Sequence, residues 1–120
     1  MDKKIVMYIF VNSDLQMTKG KTCSQVAHVT QQITEEIVRI GYEIYPTPGA
    51  YFTYMKWKFN CVKIILKATE KELTELLKRQ DARPFYDSGQ TTQVESGSLT
   101  VVGLIPCYEI DEFTEKYKLL

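Results

Sequence analysis

The sequence predicts an α/β fold, a single three-layer domain spanning residues 1–120. A four-stranded mixed sheet carries helices on both faces, in the order β-α-β-α-β-β-α. Three observations predict this. Residues 5–11, IVMYIFV, form an unbroken run of β-forming apolar residues, as in a strand buried on both faces. A long helical periodicity follows, and VKIILKA (62–68) then returns to strand-like sequence. A strand, a helix and a strand in that order make a crossover with parallel strands. At 120 residues the chain is the size of one domain with a substantial core.

The elements follow in order. After a short polar loop the first helix runs from near Lys19 to about Ile40 and stops at Gly41. Cys23, Val26, Ala27, Thr30, Ile33, Ile37 and Ile40 recur at three- and four-residue spacing and are expected to form its core face. Residues 41–59, GYEIYPTPGAYFTYMKWKF, make a long aromatic connection, too long to be idle in a compact domain. After the 62–68 strand, TEKE (69–72) is a capping box that opens a helix with Leu73, Leu76 and Leu77 inward. RPFYD (83–87) reads as a short strand whose Pro84 suits a strand start or an edge. LTVVGLI (99–105) is the fourth strand, expected antiparallel to the third, and residues 111–117 close with a short helix.

Composition narrows the classes of function. The chain is 44% hydrophobic and 25% charged, with formal net charge zero, which argues against a strongly basic nucleic-acid module. Charge is nevertheless bipolar: residues 1–67 hold 9 Lys/Arg against 5 Asp/Glu, and residues 68–120 hold 6 against 10. That pattern suits a cationic face for an anion, or equally a solvated surface with no partner. No apolar run approaches the ~20 residues of a membrane span. The start, MDKKIVMYIFVN, has neither the transit-peptide nor the signal-peptide pattern. Three cysteines, Cys23, Cys61 and Cys107, lack CxxC spacing and read as reduced, mostly buried thiols of a cytosolic protein.

The chemistry gathers in two stretches. In DLQMTKGKTCSQVAH (14–28), Lys19 and Lys21 stand at a helix N-terminus, where cations are mildly unfavourable. Lys21, Gln25, His28 and Gln32 fall within about 60° of one another, on a stripe expected opposite the apolar face. The stripe reads as a solvated polar face. It reads also as an oxyanion or phosphate site built from helix N–H groups and the two lysines. KGKT after a strand resembles a phosphate-binding loop, but the position that such a loop fills with glycine is Leu15. In YDSGQTTQ (86–93), Asp87 begins a turn lined by hydroxyls. It can orient a water or a ribose hydroxyl, or cap its own backbone. The aromatic 41–59 segment with Lys56 and Lys58 suits either base stacking or a lid on the sheet edge. There is no GxSxG motif, no metal-ligand spacing and no dinucleotide fingerprint.

As a set, four blocks resemble the type 2 peptidyl-tRNA hydrolase family, the archaeal and eukaryotic type. The family's Asp-Leu-x-Met/Leu-x-Lys-Gly-Lys loop and Gln-x-x-His helix are matched by DLQMTKGKTCSQVAH. Its Asp-x-Gly-x-Thr is matched by DSGQT (87–91), its Gly-Ser/Thr-x-Thr-Val strand by GSLTVVG (97–103), and its end by YKLL. The chain departs from the pattern at Gln90, where Arg or Leu is usual, in an apparently extra residue within QTTQVESGS, and in GLIP for Gly-x-Gly-Pro.

The resemblance implies hydrolysis of the ester joining a peptide to the 3′ ribose of tRNA, with no metal or nucleotide cofactor. It implies functional roles for Lys19, Gln25, His28, Asp87, Thr91 and Thr100; of these Lys19, His28, Asp87, Thr91 and Thr100 are expected to be catalytic, and Gln25, with Lys21 at the helix entrance and Thr92 in the turn, to bind substrate. Asp87 helped by His28 is the expected base, and Thr91 and Thr92 compete for one role. Lys19, Gln25, His28 and Asp87 are expected to line one pocket. The implied partners are the acceptor stem and 3′ end of peptidyl-tRNA and a second copy of the chain in a homodimer. The alternative is a catalytically silent relative that binds tRNA or another protein.

Overall fold

A computed structural model describes residues 3–44, 48–89 and 94–120. Its centre is strand β1 (Ile5–Asn12), of which seven residues are buried. Period-two alternation sends Val6, Tyr8 and Phe10 to one side and Met7, Ile9 and Val11 to the other, so β1 feeds two cores at once. Strand β2 (Lys63–Ala68) pairs parallel to β1, with Met7 opposite Lys63 through Asn12 opposite Ala68. β4 (Leu99–Leu104) pairs antiparallel on the other side of β1, and β3 (Ala82–Tyr86) pairs antiparallel to β4. The order is β2-β1-β4-β3, the mixed sheet expected, extended by a two-residue strand β5 (Cys107–Tyr108) beside Ile5 and Val6.

Helix α1 (Lys19–Ile40) covers one face together with α2 (Pro48–Trp57); α3 (Glu70–Leu76) and α4 (Asp111–Lys116) cover the other. Thr18 caps α1 by accepting from the Lys21 N–H, and Gly41, at φ 64°, ends it by donating to the Ile37 carbonyl. The capping box of Thr69 and Glu72 opens α3 as expected. The edge of β2 is closed by the chain end: Lys67 N donates to Lys118 O, and Leu120 N donates to Ile65 O.

Three expectations need correction. The aromatic connection contains a helix, α2, whose Ala50, Tyr54 and Trp57 are buried in the α1-side core. The Trp57 indole N–H donates to Val62 O at 2.7 Å, tying the segment to the start of β2. The inward face of α1 is also rotated from the expected one. It buries Lys21, Thr22, Gln25, Val29, Ile33 and Ile37, whereas Cys23 and Ala27 are exposed and Val26 and Thr30 only half-buried. Those residues line an open apolar groove of about 590 Å³ with Ile65 and Leu120. The thiols of Cys23 and Cys61 are likewise exposed rather than buried.

What lets α1 sit so close to the sheet is Gly103 on β4. A Cβ there would lie 2.7 Å from Ile33 Cδ1 and 3.3 Å from Val29 Cγ2. A side chain at that point would have to displace the ends of Ile33 and Val29.

Candidate active site

Only part of the polar stripe of α1 is solvated: His28 and Gln32 are exposed, whereas Lys21 and Gln25 are buried. The stripe is the seam where α1 meets β3 and β4. At the N-terminal end the Lys21 ammonium donates to Asp87 Oδ1 at 2.5 Å, and the two side chains are only 4% and 2% exposed. One turn on, Thr100 Oγ1 of β4 donates to Gln25 Oε1 at 2.6 Å, with the Phe85 carbonyl 3.2 Å from the same hydroxyl. His28 lies stacked on Phe85 of β3, ring centroids 5.0 Å apart at 28°. The Gln32 amide donates to Pro84 O, and Arg83 makes a two-pronged contact with Glu36. Helix and strand run in opposite directions, so ascending α1 positions meet descending β3 positions.

Local sequence explains the aspartate's placement. A register shift at Phe85/Tyr86 bends β3 just before Asp87. Asp87 then holds the chain with its own groups: its N–H donates to Ser98 O, its carbonyl accepts from Gly97 N, and its Oδ2 accepts from Gly89 N. Gly89 sits at φ 81°, with Ser96 2.9 Å from where its Cβ would be, so this turn needs glycine twice over. Asp87 is therefore both an Asx-type turn residue and the ion-pair partner of α1; the two readings of it coexist.

Electrostatics follow from these contacts. The Lys21 ammonium holds the Asp87 carboxyl below the usual carboxylate range; burial opposes it, and the Gly89 N–H and the nearby His28 ring act in the same direction as Lys21. The carboxylate stays ionised at neutral pH. The second lysine of the Lys-Gly-Lys motif thus finds its anion inside the protein. Lys19, the residue expected to join Asp87, is exposed at the first position of α1. His28 is exposed on its outer side, where Nε2 lies 3.2 Å from Ser24 Oγ.

The structure therefore brings Lys21, Gln25, His28, Asp87 and Thr100 together along one seam, with Lys19 at its cationic end. Thr91 and Thr92, together with Gln90, lie outside the described residues. Among the described residues no three His, Cys, Asp or Glu side chains come together in a metal-binding group.

Two residues escaped the sequence reading. Phe85, the platform under His28, looked like an ordinary strand residue. Asn12, 1% exposed at the end of β1, donates to Leu99 O at 2.8 Å and accepts from the Asp14 N–H. Asp14 Oδ2 in turn accepts from Glu70 N, so the loop entering α1 is pinned to β4 and α3. A buried polar side chain closing an apolar strand was the available signal.

A family model described as peptidyl-tRNA hydrolase PTH2 matches residues 5–120. The chain belongs to this family. It is 33% identical over 123 residues to a peptidyl-tRNA hydrolase of Thermoplasma acidophilum, covering 95% of this chain and 97% of that protein. It is 35% identical over 120 residues to one of Methanococcus vannielii, covering 93% and 96%. To a probable peptidyl-tRNA hydrolase 2 of Schizosaccharomyces pombe it is 34% identical over 129 residues, covering 94% of this chain and 55% of that protein. The chain thus spans about half the length of the fungal relative and nearly all of the archaeal ones.

Proposed function

We propose that this chain is a peptidyl-tRNA hydrolase: water cleaves the ester between a peptide and the 3′ ribose of tRNA, freeing the peptide acid and a ribose hydroxyl. The observation that carries this reading is the buried Lys21–Asp87 pair beside Gln25, Thr100 and His28, in a chain of the PTH2 family. An ester needs an oriented water to attack its carbonyl carbon, stabilisation of the oxyanion formed on the carbonyl oxygen, and a proton for the leaving oxygen.

Asp87 orients the water. Its depressed pKa makes it a weak proton acceptor but a dependable hydrogen-bond acceptor. Lys21, already pointed at this spot, supplies positive charge to the developing oxyanion. Gln25 and Thr100 hold each other in one rotamer and fix the site's floor. Exposed His28 exchanges the proton with the ribose oxygen. Lys19 and the N-terminal turn of α1 meet the phosphates of the 3′ end. Thr91 and Thr92 remain candidates for the carbonyl or ribose contact.

Cytoplasmic residence and a homodimer belong to the same proposal. Free thiols at Cys23, Cys61 and Cys107 suit a reducing compartment, and among the described residues no helix is long and apolar enough to cross a membrane. Sedimentation equilibrium checks the dimer.

The test is release of N-acetyl-amino acid from N-acetyl-aminoacyl-tRNA by wild type and by Asp87→Ala. Turnover by wild type that is lost in a variant with unchanged circular dichroism supports the reading. Salt-sensitive tRNA binding without turnover would instead mean a silent binding module. Neither turnover nor binding would sink both.

A further inference from the structure

Beyond the seam's catalytic end, α1 and β3 leave an open groove of about 540 Å³ that begins at His28 and Phe85 and runs toward the C-terminal half of the helix. We propose that this groove holds the peptide part of the substrate, main chain against α1, with its α-amine directed at Glu35. This rests on the reading under Proposed function and extends it by giving the substrate a direction.

Three observations carry it. First, the groove starts at the stacked His28–Phe85 pair, so it is continuous with the proposed reaction centre rather than a separate hollow. Second, its charges do not suit a polyanion. Glu36 is neutralised by Arg83, so Glu35 and Arg39, one charge of each sign, remain to face an occupant. The exposed cation Lys19 lies at the opposite end of the seam. Phosphates therefore go to the N-terminus of α1, and a chain of amides with a single terminal cation goes the other way. Third, the β3 edge is ill suited to take the peptide as an added strand. Pro84 has no N–H, its carbonyl already accepts from Gln32, and the Ala82 carbonyl accepts from Arg83. Recognition then falls to side chains, and the Gln31 amide, held by Glu35 Oε1 at 2.9 Å, is placed for it.

Length sets a register. From His28 to Glu35 is seven helical residues, about 10 Å, which an extended peptide crosses in about three residues. Affinity should therefore rise with peptide length and level off near the third residue.

The experiment measures kcat/KM for a series of tRNAs carrying one to four residues with a free α-amine, beside N-acetyl-aminoacyl-tRNA. The enzymes are wild type, Glu35→Lys and, as a charge control, Glu112→Lys on α4, exposed on the opposite layer. Glu35 is exposed and Gln31 is its hydrogen-bond partner, and thermal melting verifies that the variants fold. The expected result is a wild-type preference for three residues over one. That preference falls roughly five-fold in Glu35→Lys, the scale of replacing an attractive exposed charge by a repulsive one, and persists in Glu112→Lys. An equal preference in wild type and Glu35→Lys overturns the proposal. So does a gain by Glu35→Lys on all substrates with steeper salt dependence, which would put RNA in the groove. Wild type that cleaves no substrate in the set overturns the function itself; cleavage of all of them without length dependence overturns this inference alone.

Discussion

Gly103→Ala tests whether the close approach of α1 to β4 sets the site. The new methyl would stand 2.7 Å from Ile33 Cδ1 and 3.3 Å from Val29 Cγ2, and both side chains are fully buried, so neither has room to swing away. Overpacking of this kind costs about 1–3 kcal/mol. Loss of glycine's freedom in the unfolded chain returns about 0.4–1 kcal/mol, leaving a net loss of up to about 2.5 kcal/mol. With an unfolding entropy of ~2.1 cal/mol/K per residue, a chain of 120 residues loses about 0.25 kcal/mol per degree. Tm should fall by up to about 10 °C. Ile33→Val removes Cδ1, the atom struck, and by itself costs about 0.5–1.5 kcal/mol. In the double variant the methyl introduced by Gly103→Ala occupies the space Cδ1 vacated, so the combined loss should be smaller than the sum of the singles. The assay is urea unfolding followed by Trp57, the chain's single tryptophan, buried against β2. Strict additivity in this cycle would refute the argument, because it would mean helix and strand do not compete for that space.

The remaining predictions concern the seam itself. Lys21→Met removes the strongest influence lowering the Asp87 pKa and leaves burial, which raises it, so the acid limb of any residual activity should move to higher pH than in wild type; a pH–rate profile reads this directly. Because the folded Asp87 pKa lies below its unfolded value, its ionic contribution to stability is full above the ordinary carboxylate pKa of about 3.9 and fades as pH falls through the lower, folded value. The stability gap between wild type and Asp87→Asn should accordingly be widest near neutrality and close only under strongly acid conditions; a constant gap down to the lowest pH would contradict the pairing. Thr100→Val leaves Gln25 Oε1 without its 2.6 Å donor in a buried setting. A loss of about 1–3 kcal/mol is expected in denaturant unfolding, and the companion Gln25→Leu, Thr100→Val double variant should recover part of it.

How much of this was legible in the sequence depends on which side of one helix is considered. β1 declared itself because a strand buried on both faces needs no alternation, and IVMYIFV has none. The start and end of α1 were legible for equally local reasons, Thr18 accepting from Lys21 N and Gly41 taking φ 64°. Its inward direction was not. At 100° per residue Val29 falls only about 40° from Gln25, so the polar stripe and the true core line are neighbours, not opposites. Burial runs across both, from Lys21 to Ile37. Periodicity alone assigned polar residues to water because it cannot see a partner arriving from a distant strand. Asp87 lies 66 positions from Lys21, and Thr100 lies 75 from Gln25. What the sequence did carry was the conflict itself: two lysines where a helix disfavours cations. For Lys21 the conflict is settled by a buried carboxylate. For Lys19, one helical step from the N-cap and exposed to solvent, no such internal partner exists among the described contacts; water solvates it, and the phosphates of the 3′ end are the anion proposed for it. The same reasoning separates the two lysines experimentally. Lys19→Ala should weaken tRNA binding and lower its salt dependence by about one counterion, with the Asp87 acid limb left where it was. If Lys19→Ala moves that limb as Lys21→Met does, the assignment of Lys19 to the substrate's phosphates and of Lys21 to Asp87 and the ester centre is wrong.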